Sequence, residues 1–302
     1  MASNGFTPFT PRAQNIPLAI GFMVLATVFI AASTLFAKAL GTGVFGPPMH
    51  ALQISNGRFL FAFMAISGAV LITRQPIRNP DLRLHAVRTV FGWGGVTLMF
   101  AAVAFIPMSD ATAISFLNPV FAMILAIPLL GEKVGPWRWA AAGIALTGAV
   151  ILLRPTTGSL QFGAILALMA AVVMGFEVIF IKKLAGREGP LQILWVNNSF
   201  GLGISAVAVL AVWEMPTLAQ WGGLAGVGLS MAVAQACFVN AVARAEASFI
   251  VPFTYATLVF ASLYDGIIFG VVPDVVSSVG AGIIVAGGVL LAWREARLAR
   301  RK

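Results

Sequence analysis

The sequence predicts an all-α integral membrane protein with ten transmembrane helices. Apolar residues make up 60% of the 302 residues and charged residues only 10%, with a mean hydropathy of +0.96, whereas soluble chains carry about 25% charged residues. Uncharged apolar runs recur along the chain, each near the ~20 residues that a helix needs to cross the hydrocarbon layer. The basic residues cluster between these runs. A water-soluble enzyme is excluded, because too few polar side chains remain to cover a globule of this size.

Each apolar run is assigned to one helix, because a helix satisfies its own backbone hydrogen bonds in lipid. None of the runs shows the sustained alternation of a β-strand, so a barrel is not expected. Prolines within the fourth and ninth runs, Pro119 and Pro252, are expected to interrupt those helices. The predicted limits of the runs are residues 16–38, 50–73, 87–106, 109–130, 136–153, 160–182, 190–213, 219–242, 247–269 and 274–293.

The basic residues predict the orientation of the chain. Most of the 19 lysines and arginines lie in alternate connections and in the tails, whereas the other connections hold only Lys38 and Arg154, and Arg58 lies inside the second run. By the positive-inside rule, both termini are cytoplasmic. The net charge of +9 is therefore interpreted as a topology signal attracted to anionic headgroups, not as a nucleic-acid surface. The expected partners are the lipid bilayer and a small-molecule substrate, with no nucleic acid.

The chain also carries a weak internal duplication. Residues 1–155 and 156–293 each contain five runs, and residues 294–302 form a basic cytoplasmic tail. Five is an odd number, so the second half enters the membrane from the opposite side, which gives two inverted five-helix repeats. Inverted repeats are typical of transporters that expose one central site alternately to the two sides. The matching motifs are Asp110–Ile114 with Glu246–Ile250, and Gly131, Gly143 and Gly148 with Gly270, Gly282 and Gly287 at one constant offset.

Several motifs together resemble a known family. They are Lys38, the stretch Asn56–Phe59, the stretch Ala111–Glu132, and the two Gly-x4-Gly motifs that begin at Gly143 and Gly282. Over almost its whole length the chain resembles an EamA-type ten-span member of the drug/metabolite transporter superfamily. The resemblance implies transport of small polar metabolites, and the bacterial subgroup that exports amino acids, including aromatic ones, is nearest. One departure is Gly270–Val271, which stands where the first half has Gly131–Glu132.

Other classes of function find less support in the sequence. No P-loop is present, so ATP is not expected to drive transport within this chain. One cysteine, Cys237, and two histidines cannot form a metal site or a disulfide, so no cofactor is expected and an enzyme is not predicted. An intramembrane enzyme and a channel remain the alternatives of other classes, and a multidrug or other small-metabolite exporter the alternative within transport. The composition fits a bacterial inner membrane, with a monomer or weak homodimer.

Ionisable side chains inside the runs are the first candidates for a site, because charges at membrane depth are costly. Glu177 could hold a proton or meet a substrate ammonium group, or it could pair with Lys182 or Lys183. Arg58 is assigned a structural charge, with carboxylate binding as the alternative. Asp265 could act as a proton site or gate, or could cap a helix or pair with Lys38 or Arg154. One arginine and one glutamate near a cavity would suit a zwitterion, which favours amino acids.

The uncharged candidates lie near the expected helix interruptions and on neighbouring runs. Asn118 and Tyr255 are predicted to line the cavity beside the two interruptions, with a simple packing kink as the alternative. Asp110 and Glu246 are predicted to be helix N-caps. Hydrogen bonds to substrate are expected from Thr97, Ser115, Gln235 and Asn240, which could equally join helices, and apolar walls from Phe36 and Trp93.

Overall fold

The computed structural model describes residues 15–74, 77, 79–131, 134–153, 161–184, 188–245 and 250–299, and within these residues it contains helices and no strand. A 3-10 turn, Val251–Tyr255, precedes α10, and a π-helical turn, Asp265–Phe269, follows it. The α-helices are α1 Ile16–Gly41, α2 Ala51–Thr73, α3 Leu82–Ala102, α4 Met108–Ser115, α5 Asn118–Leu130, α6 Pro136–Leu153, α7 Phe162–Leu184, α8 Pro190–Val209, α9 Leu218–Val242, α10 Ala256–Tyr264 and α11 Val275–Ala299.

Six helical segments of the described chain are long and apolar enough to cross a membrane, and three more are apolar but shorter. Helix α3 belongs to neither group, because His85 and Arg88 lower its mean hydropathy. Every predicted run overlaps one or more of the described helical elements. The all-helical membrane class agrees with the sequence, whereas ten crossings and cytoplasmic termini stay predictions. The six are α1, α2, α4 with α5, α7, α8 and α9, and the shorter ones cover 136–152, 253–269 and 275–291.

The fourth predicted run is two helices. Helix α4 ends at Ser115, and α5 restarts at Asn118 with Pro119 as its second residue. A proline is tolerated there because the first turn of a helix needs no N–H donor. The ninth run is also irregular, since it passes from a 3-10 turn through α10 to a π turn. The described chain is thus interrupted at the first predicted position, whereas at the second its helical type changes without a break.

Several predicted boundaries are displaced by four to six residues. Helix α3 begins at Leu82 rather than at residue 87, and α11 continues to Ala299, beyond the predicted end at residue 293. The shift in α3 matters most, because Arg88, predicted at the edge of the third run, lies well inside the helix, where 7% of the residue is exposed. Charged side chains in the first turns of α3 obscured its true start.

The helices pack in a pattern that is preserved when the two halves are exchanged. Helix α1 packs along α9 as α7 packs along α3, and α5 contacts α7 as α10 contacts α1. Helix α2 lies against α8, and α6 lies against α11, so these two pairs map onto themselves. The principal contacts therefore join one half of the chain to the other.

Glycines allow several of these close approaches. A Cβ atom at Gly148 would lie 2.6 Å from the Gly280 carbonyl oxygen, and one at Gly287 would lie 2.7 Å from the Ala145 nitrogen. Gly226 similarly packs against the ring of Phe36. One glycine of each Gly-x4-Gly motif, and one of the pair Gly222 and Gly226, therefore sits at a helix contact, where small residues are favoured in membranes. Their partners, Gly143, Gly222 and Gly282, have no atom within 4 Å of an added Cβ.

The exterior of the described helices is strongly apolar. Leu71, Ile72 and Leu218 are 76%, 85% and 90% exposed, although each would be buried in a soluble protein. Trp137 and Trp293 are also exposed. Such a surface is suited to lipid.

Candidate functional site

A buried cluster of three charged side chains lies where α2, α3 and α7 meet. The Nη2 atom of Arg88 lies 3.4 Å from Oε1 of Glu177, with side-chain exposures of 8% and 20%. Arg58, only 5% exposed, interacts electrostatically with the same carboxylate. Its guanidinium carbon lies 4.3 Å from the centre of the Phe59 ring. Two buried arginines thus share one carboxylate, which leaves an excess positive charge.

Glycines on α3 hold Glu177 in this position. A Cβ atom at Gly92 would come within 2.8 Å of the carboxyl carbon of Glu177, and one at Gly95 within 2.6 Å of Cγ of Met174. Real side chains do not approach so closely, so any larger residue at Gly92 would push the carboxylate away. The glycine-rich segment of α3 therefore lets the carboxylate lie directly against the helix surface.

A hydrogen bond fixes the relative height of α2 and α3. The Thr97 hydroxyl donates to Oγ of Ser55 at 2.9 Å. The two helices run antiparallel, so three residues further along α2, about 4.5 Å, Arg58 reaches the level of Trp93 and Gly94. Arg58, Trp93 and the carboxylate beside Gly92 consequently occupy one layer of the bundle, and Arg88 lies about one turn away.

Several buried polar atoms in this region have no hydrogen-bond partner among the described residues. They are Nε and Nη1 of both Arg58 and Arg88, Nε1 of Trp93, and Oδ1 of Asn198. Buried polar groups are nearly always hydrogen-bonded, because an unsatisfied one costs about 1–3 kcal/mol and a charged one more. A concentration of such atoms is therefore the arrangement expected of a site that receives a polar ligand or water.

Helices α8 and α9 add amides to the region. The side chain of Asn198 donates to the Leu194 carbonyl at 2.8 Å and lies 3.4 Å from Oε1 of Gln235. The neighbouring Asn197 accepts a hydrogen bond from Thr89 of α3 at 3.2 Å. Gln235 was predicted from the sequence, whereas Asn198 was missed because amides are common on helix–helix contacts.

Arg88 is the main functional candidate that the sequence analysis missed. The third run was assigned to start at residue 87, so Arg88, one residue further along, was grouped with the basic residues of the preceding connection. It is in fact the seventh residue of α3, nearly two turns inside the helix. The signal that could have found it is the glycine-rich segment that starts four residues later, at Gly92.

The structure divides the other predicted residues into two groups. Thr97, Trp93 and Gln235 lie around the charged cluster, and Phe36 packs in an apolar cluster that includes Val96. Near the helix interruptions, Ser115 donates to the Thr112 carbonyl, Asn118 begins α5, and the Tyr255 ring meets Phe116 edge-on at 4.8 Å. Asn240 lies at the end of α9, where its side-chain oxygen accepts from Arg244 at 2.7 Å.

A second buried ion pair closes one end of the bundle, here called the Lys38 end. Nζ of Lys38 lies 2.6 Å from Oδ1 of Asp265, which is fully buried. The other carboxylate oxygen accepts the backbone N–H of Met108, and the ammonium lies 4.6 Å from the centre of the Phe269 ring. The pair thus joins the end of α1, the start of α4 and the π turn. Of the two partners proposed for Asp265, the described residues contain Lys38, whereas Arg154 lies outside them.

Other predicted roles for charged residues can be compared with the structure. Asp110 is not an N-cap: Pro107 occupies that position, and the Asp110 carboxylate accepts from the Ser277 hydroxyl at 2.9 Å. Glu246 and the side chains of Lys182 and Lys183 lie outside the described residues. Proton-carrying or gating by Glu177 and Asp265 stays a prediction.

A helical bundle with an apolar exterior and an incompletely satisfied charged interior defines a polytopic membrane protein that handles a polar solute. The family model described as "EamA-like transporter family" matches residues 17–154 and 161–293. The chain belongs to this family, which confirms the resemblance seen in the sequence. It is an integral membrane transporter of small molecules rather than an enzyme.

Named relatives support the same class. The chain is similar to a riboflavin transporter of Rhizobium johnstonii, with 31% identity over 72% of this chain and 72% of the relative. It is also similar to an S-adenosylmethionine uptake transporter of Rickettsia bellii, with 24% identity over 96% and 98%. A solved crystal structure shares the fold with a TM-score of 0.60 at 18% identity, over 92% of this chain and 99% of that one.

Proposed function

We propose that the protein is a secondary transporter that moves small polar metabolites across a bacterial inner membrane by alternating access. Amino acids are the proposed substrates and export the proposed direction. The chain would cross the membrane ten times as two inverted five-helix repeats with cytoplasmic termini, as a monomer or weak homodimer. The observation that carries the proposal is the buried, partly unsatisfied cluster of Arg58, Arg88 and Glu177 at the contact between the two halves.

The packing pattern supports an inverted repeat. Exchanging the halves converts the contact of α1 with α9 into that of α7 with α3, as a two-fold axis in the membrane plane would do. Helical irregularities occur at corresponding positions, as a break between α4 and α5 and as the 3-10 and π turns on either side of α10. Repeats of this kind rock about a central site and open it to one side at a time.

The ion pair at the Lys38 end supports the proposal that the described conformation of the transporter is closed at that end. In the proposed topology this end faces away from the cytoplasm. Opening would separate α1 from the π turn and break the contact between Lys38 and Asp265. The pair of Lys38 and Asp265 would then be a gate contact.

Glu177 would be the group that couples transport to a proton. Exchange and facilitated diffusion are the alternatives to proton coupling.

Riboflavin transport is a second candidate, because a 31% identical relative carries that name. Stacked aromatic rings lie near the cluster: Phe91 stacks on Phe176 at 5.0 Å and on Phe180 at 5.6 Å between centroids. They could offer a flat surface to a planar ring system.

Counterflow in proteoliposomes tests the proposal. Liposomes with purified protein are preloaded with an unlabelled solute, and uptake of labelled amino acids, riboflavin and S-adenosylmethionine is followed against protein-free liposomes. Protein-dependent uptake of amino acids is expected. Uptake of riboflavin alone would replace the substrate class, and no uptake of any solute by folded protein would contradict the proposal.

A further inference from the structure

The charged cluster contains an uneven supply of hydrogen-bonding groups. The unsatisfied atoms comprise four guanidinium nitrogens and the indole nitrogen of Trp93, all donors, against one amide oxygen, that of Asn198. Arginine and tryptophan side chains cannot accept hydrogen bonds. A ligand that satisfies these groups must therefore present mainly acceptors.

The charges are equally uneven. Glu177 is the carboxylate partner of Arg88 and is also attracted to Arg58, so the three groups carry one excess positive charge in the interior. A buried charge that lacks a full complement of partners is costly, and the cost falls when an anion binds. Arginine is especially suited to carboxylates, because its planar fork of donors matches their two oxygens.

We infer that this site recognises its substrate through a carboxylate bound by Arg58 and Trp93, and that it requires no ammonium group on the substrate. The inference rests on the proposed function and narrows its substrate class to small organic carboxylates, of which amino acids are one case. Glu177 already pairs with Arg88, so it does not serve as the partner of a substrate ammonium. This differs from the zwitterion that the sequence favoured, because Arg88 had not been placed inside.

Compounds that share a side chain but differ in charge test the inference. For both alanine and phenylalanine, the free amino acid, its N-acetyl derivative and its amide supply a zwitterion, an anion and a cation. Each is measured as a competitor of counterflow and as a stabiliser of purified protein against thermal unfolding, since a ligand that binds only the folded state raises its stability. We expect the amino acid and its N-acetyl derivative to compete, and the amide to fail.

Three variants separate recognition from misfolding. Arg58→Gln should weaken binding of the N-acetyl derivative roughly 10- to 100-fold, the range for a hydrogen bond between charged groups. Glu177→Gln removes the negative charge beside Arg58 and should bind the anion at least as tightly as the native protein. Arg83→Gln removes an exposed arginine from the same helix as Arg88 and should change nothing. Unfolding would weaken binding of the anion in every variant, so opposite effects of Arg58→Gln and Glu177→Gln cannot arise from it.

A milder variant covers the case in which Arg58→Gln does not fold. Trp93→Phe keeps an aromatic ring but removes the indole donor, and it should weaken carboxylate binding roughly 3- to 10-fold. The inference is overturned if the amide competes as well as the acid, if the N-acetyl derivative fails, if no carboxylate binds, or if both Arg58 and Trp93 variants bind normally. Counterflow of riboflavin without any carboxylate effect would overturn this inference and the amino acid substrate class, and would leave standing only the proposal of secondary transport.

Discussion

Glu177 is the single acidic side chain shared by the two buried arginines. Replacing it with glutamine leaves Arg88 without its ionic partner 3.4 Å away. We predict that Glu177→Gln lowers the transport rate by about tenfold or more while expression is preserved, because a buried charge loses its partner in part of the cycle. Counterflow at several pH values measures this. A variant with the native rate and the native pH profile would remove Glu177 from the mechanism.

Gly92 provides a steric test of the same contact. Gly92→Ala would place a Cβ atom 2.8 Å from the carboxyl carbon of Glu177, so the carboxylate must move away from α3. We expect the transport rate to fall several-fold with a smaller loss of thermal stability. The matched control is Gly94→Ala, whose Cβ atom would lie 3.5 Å from Cγ1 of Val173, an ordinary contact. Equal effects of the two substitutions would contradict the prediction.

The sequence predicted which ionisable residues lie inside the membrane better than it predicted which of them contact each other. Glu177 stood out because a carboxylate at membrane depth is rare and costly, and Arg58 stood out for the same reason. The sequence could not show which cation meets Glu177, since the candidates within reach along the chain were Lys182 and Lys183, and Arg88 had not been placed in the interior. That choice depends on how α3 packs on α7, which the glycines of α3 determine.

The ion pair between Lys38 and Asp265 holds three helical segments together. We predict that Asp265→Asn lowers the free energy of unfolding by about 3–5 kcal/mol, because it leaves a buried ammonium without its counter-charge while an oxygen remains for the Met108 N–H. Thermal unfolding in detergent measures the loss.

The double variant Lys38→Met with Asp265→Asn is the control for this prediction. It removes both charges, so most of the lost stability should return. A double variant that is less stable than Asp265→Asn alone would show that the carboxylate acts otherwise than through Lys38.

The start of α3 is joined to the start of α8 by a pH-sensitive contact. Burial opposes ionisation of Glu188, but hydrogen bonds from the Asp81 amide, Gln192 and His85 outweigh it and lower the pKa of the carboxyl group. A carboxyl whose pKa is lower in the folded state stabilises the fold above its unfolded pKa, and this contribution is lost as the pH falls through the folded pKa.

We therefore predict that the melting temperature falls on acidification between about pH 5 and pH 3, the range near and below the ordinary glutamate pKa. Glu188→Gln, which cannot ionise, should show a shallower fall and a lower melting temperature at neutral pH. Parallel pH profiles for the two proteins would contradict this assignment.

Hydropathy along the sequence predicted the positions of the helices, but the sequence predicted only some of their irregularities. The interruption before α5 was predicted from Pro119, because a proline lacks the donor that a continuous helix requires. The π turn after α10 has no comparable sequence signal, since its stability comes from Asp265 bonding across to Lys38 and Met108. Tertiary contacts of that kind are invisible to local periodicity.

For the whole molecule, the proposed boundary between the halves can be tested directly. Fragments 1–155 and 156–302 are expressed singly and together. The main helix contacts run between the halves, so the pair should assemble and restore transport, whereas each fragment alone should be degraded. A stable single fragment would contradict the view that the halves depend on each other.

The helix contacts between the two halves of the chain affect how the protein is inserted and folded during synthesis. The Ser33 hydroxyl of α1 donates to the carbonyl of Val227, a residue 194 positions later. When the ribosome has released α1, the helix against which it packs has not been synthesised. Until the second half has been made, the first helices lack their packing partners in the bilayer. Their polar faces are then exposed to lipid or covered by an insertion chaperone. We expect the nascent chain, more than the finished transporter, to be the form that membrane proteases recognise.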